Sequence, residues 1–198
     1  MPRPKGRGTA RKAPNQFTGP LLAAFGTARA FVSRHRIVVK GVLIFVGGIL
    51  AFMLIHSRMV EREALDGLLR FTAGATGAFV NLLGGGPVEV EGALISSPGF
   101  SMIIVTECTA LVPMAIVVCA VLAYPGTWKQ KLIGAGLGIG ALFVLNLVRT
   151  VSLFFIGGSF SSSFFNTAHF LIWQPVMIIV AVVVWLLWVE KLVRVAPR

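Results

Sequence analysis

The run from Leu132 to Ile156, LIGAGLGIGALFVLNLVRTVSLFFI, is almost wholly apolar and contains a single charged residue, Arg149. A helix needs about 20 predominantly apolar residues to cross roughly 30 Å of bilayer hydrocarbon. The run is long enough, so it predicts a membrane-spanning helix. Its opening glycines predict a small-residue face on which a neighbouring helix can pack closely: Gly134, Gly136, Gly138 and Gly140.

The composition extends this interpretation to the whole chain. Of the 198 residues, 56% are hydrophobic and 13% are charged, which is about half the charged fraction of an ordinary soluble domain. Most soluble classes of protein are therefore excluded. The net charge of +11 would suit nucleic-acid binding, but the basic residues cluster at the chain ends and in one short loop, where they orient membrane helices. No nucleic-acid partner is predicted.

Three further segments are apolar enough to compete for the bilayer. They are Ile37–Ile55, Thr109–Tyr124, which is short, and Phe170–Val189. Leu65–Leu83 is interrupted by charged and polar residues, so it predicts an amphipathic or re-entrant helix instead. The fold class that follows is an all-α integral membrane protein with about four transmembrane helices.

A small β-like cap is predicted before the second span. The segment Val88–Glu91 alternates apolar and acidic residues in the manner of a strand, and turn residues follow in the stretch 95–100. These two features indicate a short extended pair. The segment 57–106, which holds five of the seven carboxylates, is predicted to face away from the cytoplasm because the basic segments on either side of it stay inside.

The orientation follows from the short basic segments. Lys and Arg accumulate before residue 37, in the loop 125–131 and after residue 190, and such segments stay on the cytoplasmic side. Both termini are therefore predicted to be inside. The chain divides into a basic cytoplasmic arm (1–36), a membrane domain (37–190) and a basic tail (191–198), and no cleavable signal peptide is predicted.

Three chemically reactive side chains fall at one depth in this topology. Measured from the inner ends of their helices, Cys108 lies about 24 Å up, Arg149 about 26 Å and His169 about 30 Å, at about 1.5 Å per residue. A guanidinium inside an apolar run is costly unless it is paired or lines a wet cavity, so Arg149 is the strongest single indication of function. A thiol, an imidazole and a fixed cation are the minimum parts of cysteine acyl transfer.

Two neighbours support this set. Asn146 lies three residues before Arg149 on the same helix face, where it can orient the guanidinium or a substrate carbonyl, or join two helices. Glu107 precedes Cys108 at a predicted helix start, where the helix dipole would lower the pKa of the thiol, while the Glu107 charge works the other way. Cys119 lies within an apolar run and is predicted to be packing only.

The same residues carry a family resemblance. Glu107-Cys-Thr-Ala-Leu111, Asn146-Leu-Val-Arg-Thr150 and Ala168-His-Phe170, in that order on successive predicted helices, resemble the exosortase/archaeosortase family of membrane transpeptidases. The short chain resembles the compact exosortase H type, and the resemblance runs from about Leu65 to Val189. One departure is Thr109-Ala110, where many relatives have Ser-Gly.

The resemblance implies a function in protein sorting. Cys108, Arg149 and His169 would form the catalytic set, with Asn146 and Glu107 in support. The implied partners are exported proteins with a C-terminal motif, a transmembrane helix and a basic tail, and an acceptor that is a membrane lipid or another nucleophile. The implied location is the plasma (inner) membrane, multi-pass, with the active site at the extracytoplasmic face.

Other interpretations of the same residues stay open. A non-enzymatic helical scaffold or small transporter would use Arg149 to bind anionic groups. A lipid-modifying acyltransferase would use Cys108 as its nucleophile. The two cysteines lack a metal-ligand spacing, and the glycines at 84–86 lack the Lys-Ser/Thr pair of a phosphate loop, so neither a metal nor another cofactor is predicted.

Overall fold

The structure is a computed structural model that describes residues 35–61 and 63–194. The chain divides into two compact units, residues 1–40 and 41–198. The second unit contains every residue of the predicted site. The predicted basic arm, apart from its last two residues, and the end of the predicted tail lie outside the described residues.

Helices dominate the described residues, and a small sheet interrupts them once. In chain order the elements are α1 (Arg36–Glu61), α2 (Asp66–Leu82), β1 (Glu89–Glu91), β2 (Leu94–Ser97), β3 (Phe100–Ile103), a 3₁₀ turn (Thr106–Thr109), α3 (Leu111–Ala123), α4 (Trp128–Ser159) and α5 (Ser162–Val193). α5 is continuous but takes π-helical geometry over Ala168–Trp173 and Val189–Val193.

Within the described part of the chain, three helices are long and apolar enough to cross a membrane: α1, α4 and α5. They correspond to three of the four predicted spans. The remaining predicted span forms α3, whose 13 residues reach only about 20 Å. It is short because the 3₁₀ turn occupies Thr106–Thr109 and delays the start of α3 to Leu111. The chain is thus a helical membrane protein, and the count of four spans stays a prediction.

α2 occupies the place of the predicted amphipathic or re-entrant segment. Its 17 residues bury one face, which consists of Thr72, Ala73, Thr76, Gly77 and Val80. Phe71, Phe79 and Leu82 on its other sides stay exposed. α2 therefore packs into the core through one face. It is not one of the three helices that are long and apolar enough to cross a membrane.

The segment predicted to form a cap contains three strands where the sequence predicts an extended pair. The order is β1-β2-β3, antiparallel throughout, with Val90 opposite Ile95 and Ile95 opposite Met102. We call residues 89–103 the cap. Ile95 and Met102 are buried, and Phe100 of β3 packs against Gly157 of α4. The third strand was missed because its apolar residues continue directly towards the next predicted span.

Only half of the predicted glycine face on α4 packs against another helix. A Cβ at Gly134 would overlap the Trp188 ring of α5, and one at Gly138 would overlap Val117 of α3. A Cβ at Gly136 or Gly140 would meet no atom of another element within 4 Å. The prediction of one face for all four glycines is wrong, since residues two apart point to nearly opposite sides of a helix. Residues four apart share a face, so Gly134 and Gly138 lie on one side and Gly136 and Gly140 on the other.

Alanine substitutions at these four positions are expected to separate into two classes. Gly138→Ala and Gly134→Ala force α3 or α5 away from α4 and should destabilise the protein by about 1–3 kcal/mol, as overpacking does. Gly136→Ala and Gly140→Ala, the matched controls, should leave stability unchanged or slightly raised, because alanine favours helix. Thermal unfolding in detergent micelles measures the difference, and equal losses in both classes would contradict the packing.

Candidate active site

The guanidinium of Arg149 joins three separate elements. The side chain is 2% exposed and projects from α4. Its Nη1 donates to the backbone oxygen of Glu107 in the 3₁₀ turn at 3.2 Å, and its Nη2 lies 2.8 Å from Nε2 of His169 in α5. The structure therefore brings together the predicted Arg149 and His169 and places both beside the turn that carries Cys108.

The bond to Arg149 fixes the tautomer of His169. A guanidinium has only donors, so Nε2 of His169 must accept and the ring proton resides on Nδ1. Two aromatic rings hold the imidazole: Phe165 is stacked on it at 6.2 Å between centroids, and Phe170 meets it edge-on at 4.5 Å. His169 lies in the π-helical stretch of α5, a distortion frequent at functional sites.

Cys108 lies in the 3₁₀ turn and not at the first turn of a helix. Its backbone N–H donates to the Val105 oxygen at 2.8 Å, and the Thr109 hydroxyl donates to the Thr106 oxygen at 2.6 Å. The turn ends at Ala110, which has the left-handed backbone conformation (φ 56°, ψ 16°). The predicted helix start at Cys108 is therefore wrong, because α3 begins only at Leu111.

Two side chains of α4 bind consecutive carbonyls of that turn. Asn146 Nδ2 donates to the Cys108 oxygen at 2.6 Å, next to the bond from Arg149 to the Glu107 oxygen. The Asn146 Oδ1 and Arg149 Nε atoms are buried and have no hydrogen-bond partner within the described residues. Asn146, which was predicted to support the site, therefore binds the backbone of Cys108. Its Oδ1 atom remains available as an acceptor.

The thiol of Cys108 is buried, with 7% of the residue exposed. Burial raises the pKa of the Cys108 thiol; the nearby Arg149 charge lowers that pKa and the Glu107 charge raises it. The predicted lowering of the pKa is wrong, since desolvation of the thiolate dominates and the thiol precedes the helix start. A backbone hydrogen bond from Val105 also lowers that pKa, and among the described residues no hydrogen bond joins the Cys108 sulfur to His169.

The remaining predicted residues take different places. Glu107 contributes its backbone oxygen to Arg149, and its side chain is exposed. Cys119 packs in α3 against α1, where a Cβ at Gly48 would be 2.8 Å from its Sγ. Cys119 is therefore a packing residue between α3 and α1.

A buried hydroxyl pair beside Arg149 was not predicted. The Oγ1 atoms of Thr76 in α2 and Thr150 in α4 are 2.8 Å apart, and both residues are at most 1% exposed. Thr76 also lies 2.8 Å from the Thr72 oxygen of the preceding turn. Thr72 and Thr76, four residues apart on α2, were the sequence pattern from which the pair could have been predicted. Threonines on an otherwise apolar helix face often form interhelical hydrogen bonds.

The site is an assembly of a thiol, an imidazole and a guanidinium without an acidic partner. In residues 35–61 and 63–194, no group of three or more His, Cys, Asp or Glu side chains could hold a metal ion. The ion pairs Arg58–Glu61 and Arg70–Asp66 are exposed, and within those residues no carboxylate pairs with Arg149. The Arg149 charge is therefore hydrogen-bonded but not neutralised, as a site for a developing anion requires.

Comparison with known proteins gives one family. The model of the transmembrane exosortases matches residues 17–189, which is most of the chain and includes all the site residues above. No curated protein and no solved structure matches the chain significantly.

The raised pKa of Cys108 predicts a distinctive labelling profile. In detergent-solubilised Cys119→Ala protein, the rate of Cys108 alkylation by iodoacetamide should keep rising at pH values where an exposed cysteine has levelled off, since only the thiolate reacts. Arg149→Gln removes a charge that lowers the pKa, so the profile should move to still higher pH. Glutathione serves as the reference thiol, and a plateau near neutral pH would contradict the assignment.

Proposed function

The chain belongs to the transmembrane exosortase family, and from that premise we propose that it is a membrane cysteine peptidase and transpeptidase that cleaves C-terminal sorting signals of exported proteins. The observation that carries the proposal is the buried Arg149, bonded both to the backbone beside Cys108 and to His169. Proteins rarely bury an unneutralised charge without a functional reason.

Cys108 is the proposed nucleophile. Its sulfur attacks the carbonyl carbon of the scissile peptide bond and forms a tetrahedral oxyanion. The C–N bond then breaks, the leaving amine takes a proton, and a thioester joins Cys108 to the new C-terminus of the exported protein. An acceptor nucleophile, or water, attacks the thioester and restores the thiol.

Arg149 is proposed to stabilise the oxyanion. A preorganised donor in a site without bulk water contributes about 3–4 kcal/mol to lowering such a barrier. The Nε atom of Arg149 has no partner among the described residues, so the guanidinium has donor capacity left for a third acceptor. Asn146 fixes the carbonyl of Cys108 and thereby the direction of the nucleophile.

His169 is proposed to take the thiol proton and return it to the leaving amine. Its Nε2 is bonded to Arg149 in the structure. The step therefore requires that the guanidinium turn from Nε2 towards the oxyanion, which leaves the Nε2 lone pair to accept the proton. Such exchanges on substrate binding are common, because catalytic hydrogen bonds often form fully only in the complex.

The substrate is proposed to arrive by lateral diffusion in the plasma (inner) membrane. The charge distribution puts both termini inside and the cap outside, which sets Cys108, Arg149 and His169 at the extracytoplasmic boundary. An exported protein tethered by its own helix, with a basic tail inside, reaches that layer without leaving the bilayer. A membrane lipid or another nucleophile at the same surface is the proposed acceptor.

The scaffold or transporter alternative has weaker support. It needs Arg149 to contact anionic headgroups or a transported ion, but the residue is 2% exposed and both of its Nη atoms are engaged within the protein. The acyltransferase alternative shares the nucleophile. Mass spectrometry of the species trapped on Cys108 distinguishes it, since lipid rather than peptide would be attached.

Substitution of the two cysteines gives a matched test of the proposal. An exported protein with a C-terminal motif, an apolar helix and a basic tail is tagged upstream of the motif and co-expressed, and its mass is followed on immunoblots. Cys108→Ala should lower processing at least a hundredfold because the thioester cannot form. Cys119→Ala, which removes the other buried thiol, should process within about twofold of the natural chain.

Arg149→Lys extends the test to the cation. A lysine keeps the charge but cannot bridge the Glu107 oxygen and His169 at once, so processing should fall by about 10²–10³-fold. Processing by Cys108→Ala at the normal rate would refute the proposed enzyme. Loss of assembly in Arg149→Ala with normal behaviour of Cys108→Ser and His169→Ala would instead favour the scaffold.

A further inference from the structure

β3 is an edge strand of the cap. The strand order is β1-β2-β3, so β3 pairs with β2 on one side, and no strand pairs with its other side among the described residues. Its Phe100 and Met102 side chains turn towards α4 and the core, whereas Ser101 and Ile103 are exposed, the latter by 61%. The free side of β3 is therefore a row of backbone groups beside exposed side chains.

The register shows which backbone groups point outward. Ile104 N–H donates to the Ala93 oxygen at 2.8 Å, and hydrogen-bonded pairs alternate along antiparallel strands. Ile95 lies opposite Met102. The backbone N–H and C=O groups of Phe100, Met102 and Ile104 therefore bond to β2 or its extension. The N–H and C=O groups of Ser101 and Ile103 point away from β2, towards the free edge.

This edge leads directly to the nucleophile. After β3 the chain continues through Ile104 and the extended Val105 into the 3₁₀ turn of Cys108. Phe100 at the other end of β3 contacts Phe165 at 6.1 Å between centroids, and Phe165 is stacked on His169. The strand is thus joined to the thiol through the backbone and to the imidazole through two aromatic rings.

We infer that the free edge of β3 binds the substrate polypeptide as an added strand, formed by the extended segment that precedes its transmembrane helix. The inference rests on the proposed function. Unpaired N–H and C=O groups at an edge are satisfied best by an extended peptide backbone. A peptide paired with Ser101 and Ile103 runs alongside the segment that ends at Cys108, so its scissile carbonyl is carried to the thiol. Exposed Ile103 and Val105 provide apolar contacts for its side chains.

Proline at the edge tests the added strand. Ile103→Pro removes an outward N–H without touching the bonds to β2, and edge strands tolerate proline at such positions. With the tagged substrate at graded expression levels, the level giving half-maximal processing should rise about tenfold or more. Ile103→Ala keeps the N–H and should shift that level by no more than about threefold.

Val90→Pro is the matched control on the opposite edge. Because Ile95 directs its backbone groups to β3, the groups of Val90 point away from β2 as well, so the same chemical change is made on β1. Processing should stay within about twofold. Unchanged Cys108 alkylation in Ile103→Pro shows that the site itself remains intact.

Photo-crosslinking gives a second measurement should a proline variant fold poorly. Benzoylphenylalanine at Ser101 in Cys108→Ala protein should form an adduct with the tagged substrate, and the same residue at the exposed Glu89 of β1 should not. If Cys108→Ala abolishes processing but Ile103→Pro leaves it unchanged, or adducts form equally at both edges, the added strand is refuted while the enzyme stands. If Cys108→Ala processes normally, the enzyme is refuted and the added strand with it.

Discussion

The burial of one unneutralised guanidinium constrains the arrangement of the site. An unpaired charge inside a membrane protein costs several kcal/mol, and the described structure offsets this for Arg149 with a backbone oxygen and an imidazole nitrogen. These acceptors come from different elements, so α4, the 3₁₀ turn and α5 must stay in register for both bonds to persist. Because neither acceptor is a carboxylate, the positive field remains available to an anion formed by a reaction.

The turn that carries Cys108 is held in a conformation with its own cost. Ala110 is left-handed, which costs a residue with a Cβ about 1–2 kcal/mol, a cost that glycine would avoid. Ala110 is buried, and the carbonyls of Glu107 and Cys108 are bound by Arg149 and Asn146. The side chains of α4 therefore stabilise the turn that carries the proposed nucleophile and help to offset the cost of its left-handed residue.

The sequence predicted the parts of this site that depend on helix geometry alone. Because the rise per residue is fixed, counting along the helices predicted one depth for Cys108, Arg149 and His169; the depth stays a prediction, while the structure brings Arg149 and His169 into contact. It could not predict what depends on tertiary contacts: the 3₁₀ turn in place of a helix start, the Thr76–Thr150 pair, or β3. The wrong direction predicted for the Cys108 pKa has the same origin. The prediction assumed that the thiol lies at an exposed helix N-terminus, whereas the structure buries it.

Neither the proposed nucleophile nor the proposed base is activated in the substrate-free arrangement. Burial raises the pKa of the Cys108 thiol, and the Nε2 lone pair of His169 is occupied by Arg149, so neither group is ready to react. A carbonyl delivered beside Cys108 supplies the acceptor that can draw Arg149 from the imidazole, and the Nε2 lone pair of His169 is then free to accept the thiol proton. Activation in the proposed mechanism thus depends on the substrate. The Cys108 thiol would then react only with a polypeptide positioned at the 3₁₀ turn and not with other chains in the membrane. Strand pairing at β3 is a way to position the substrate there.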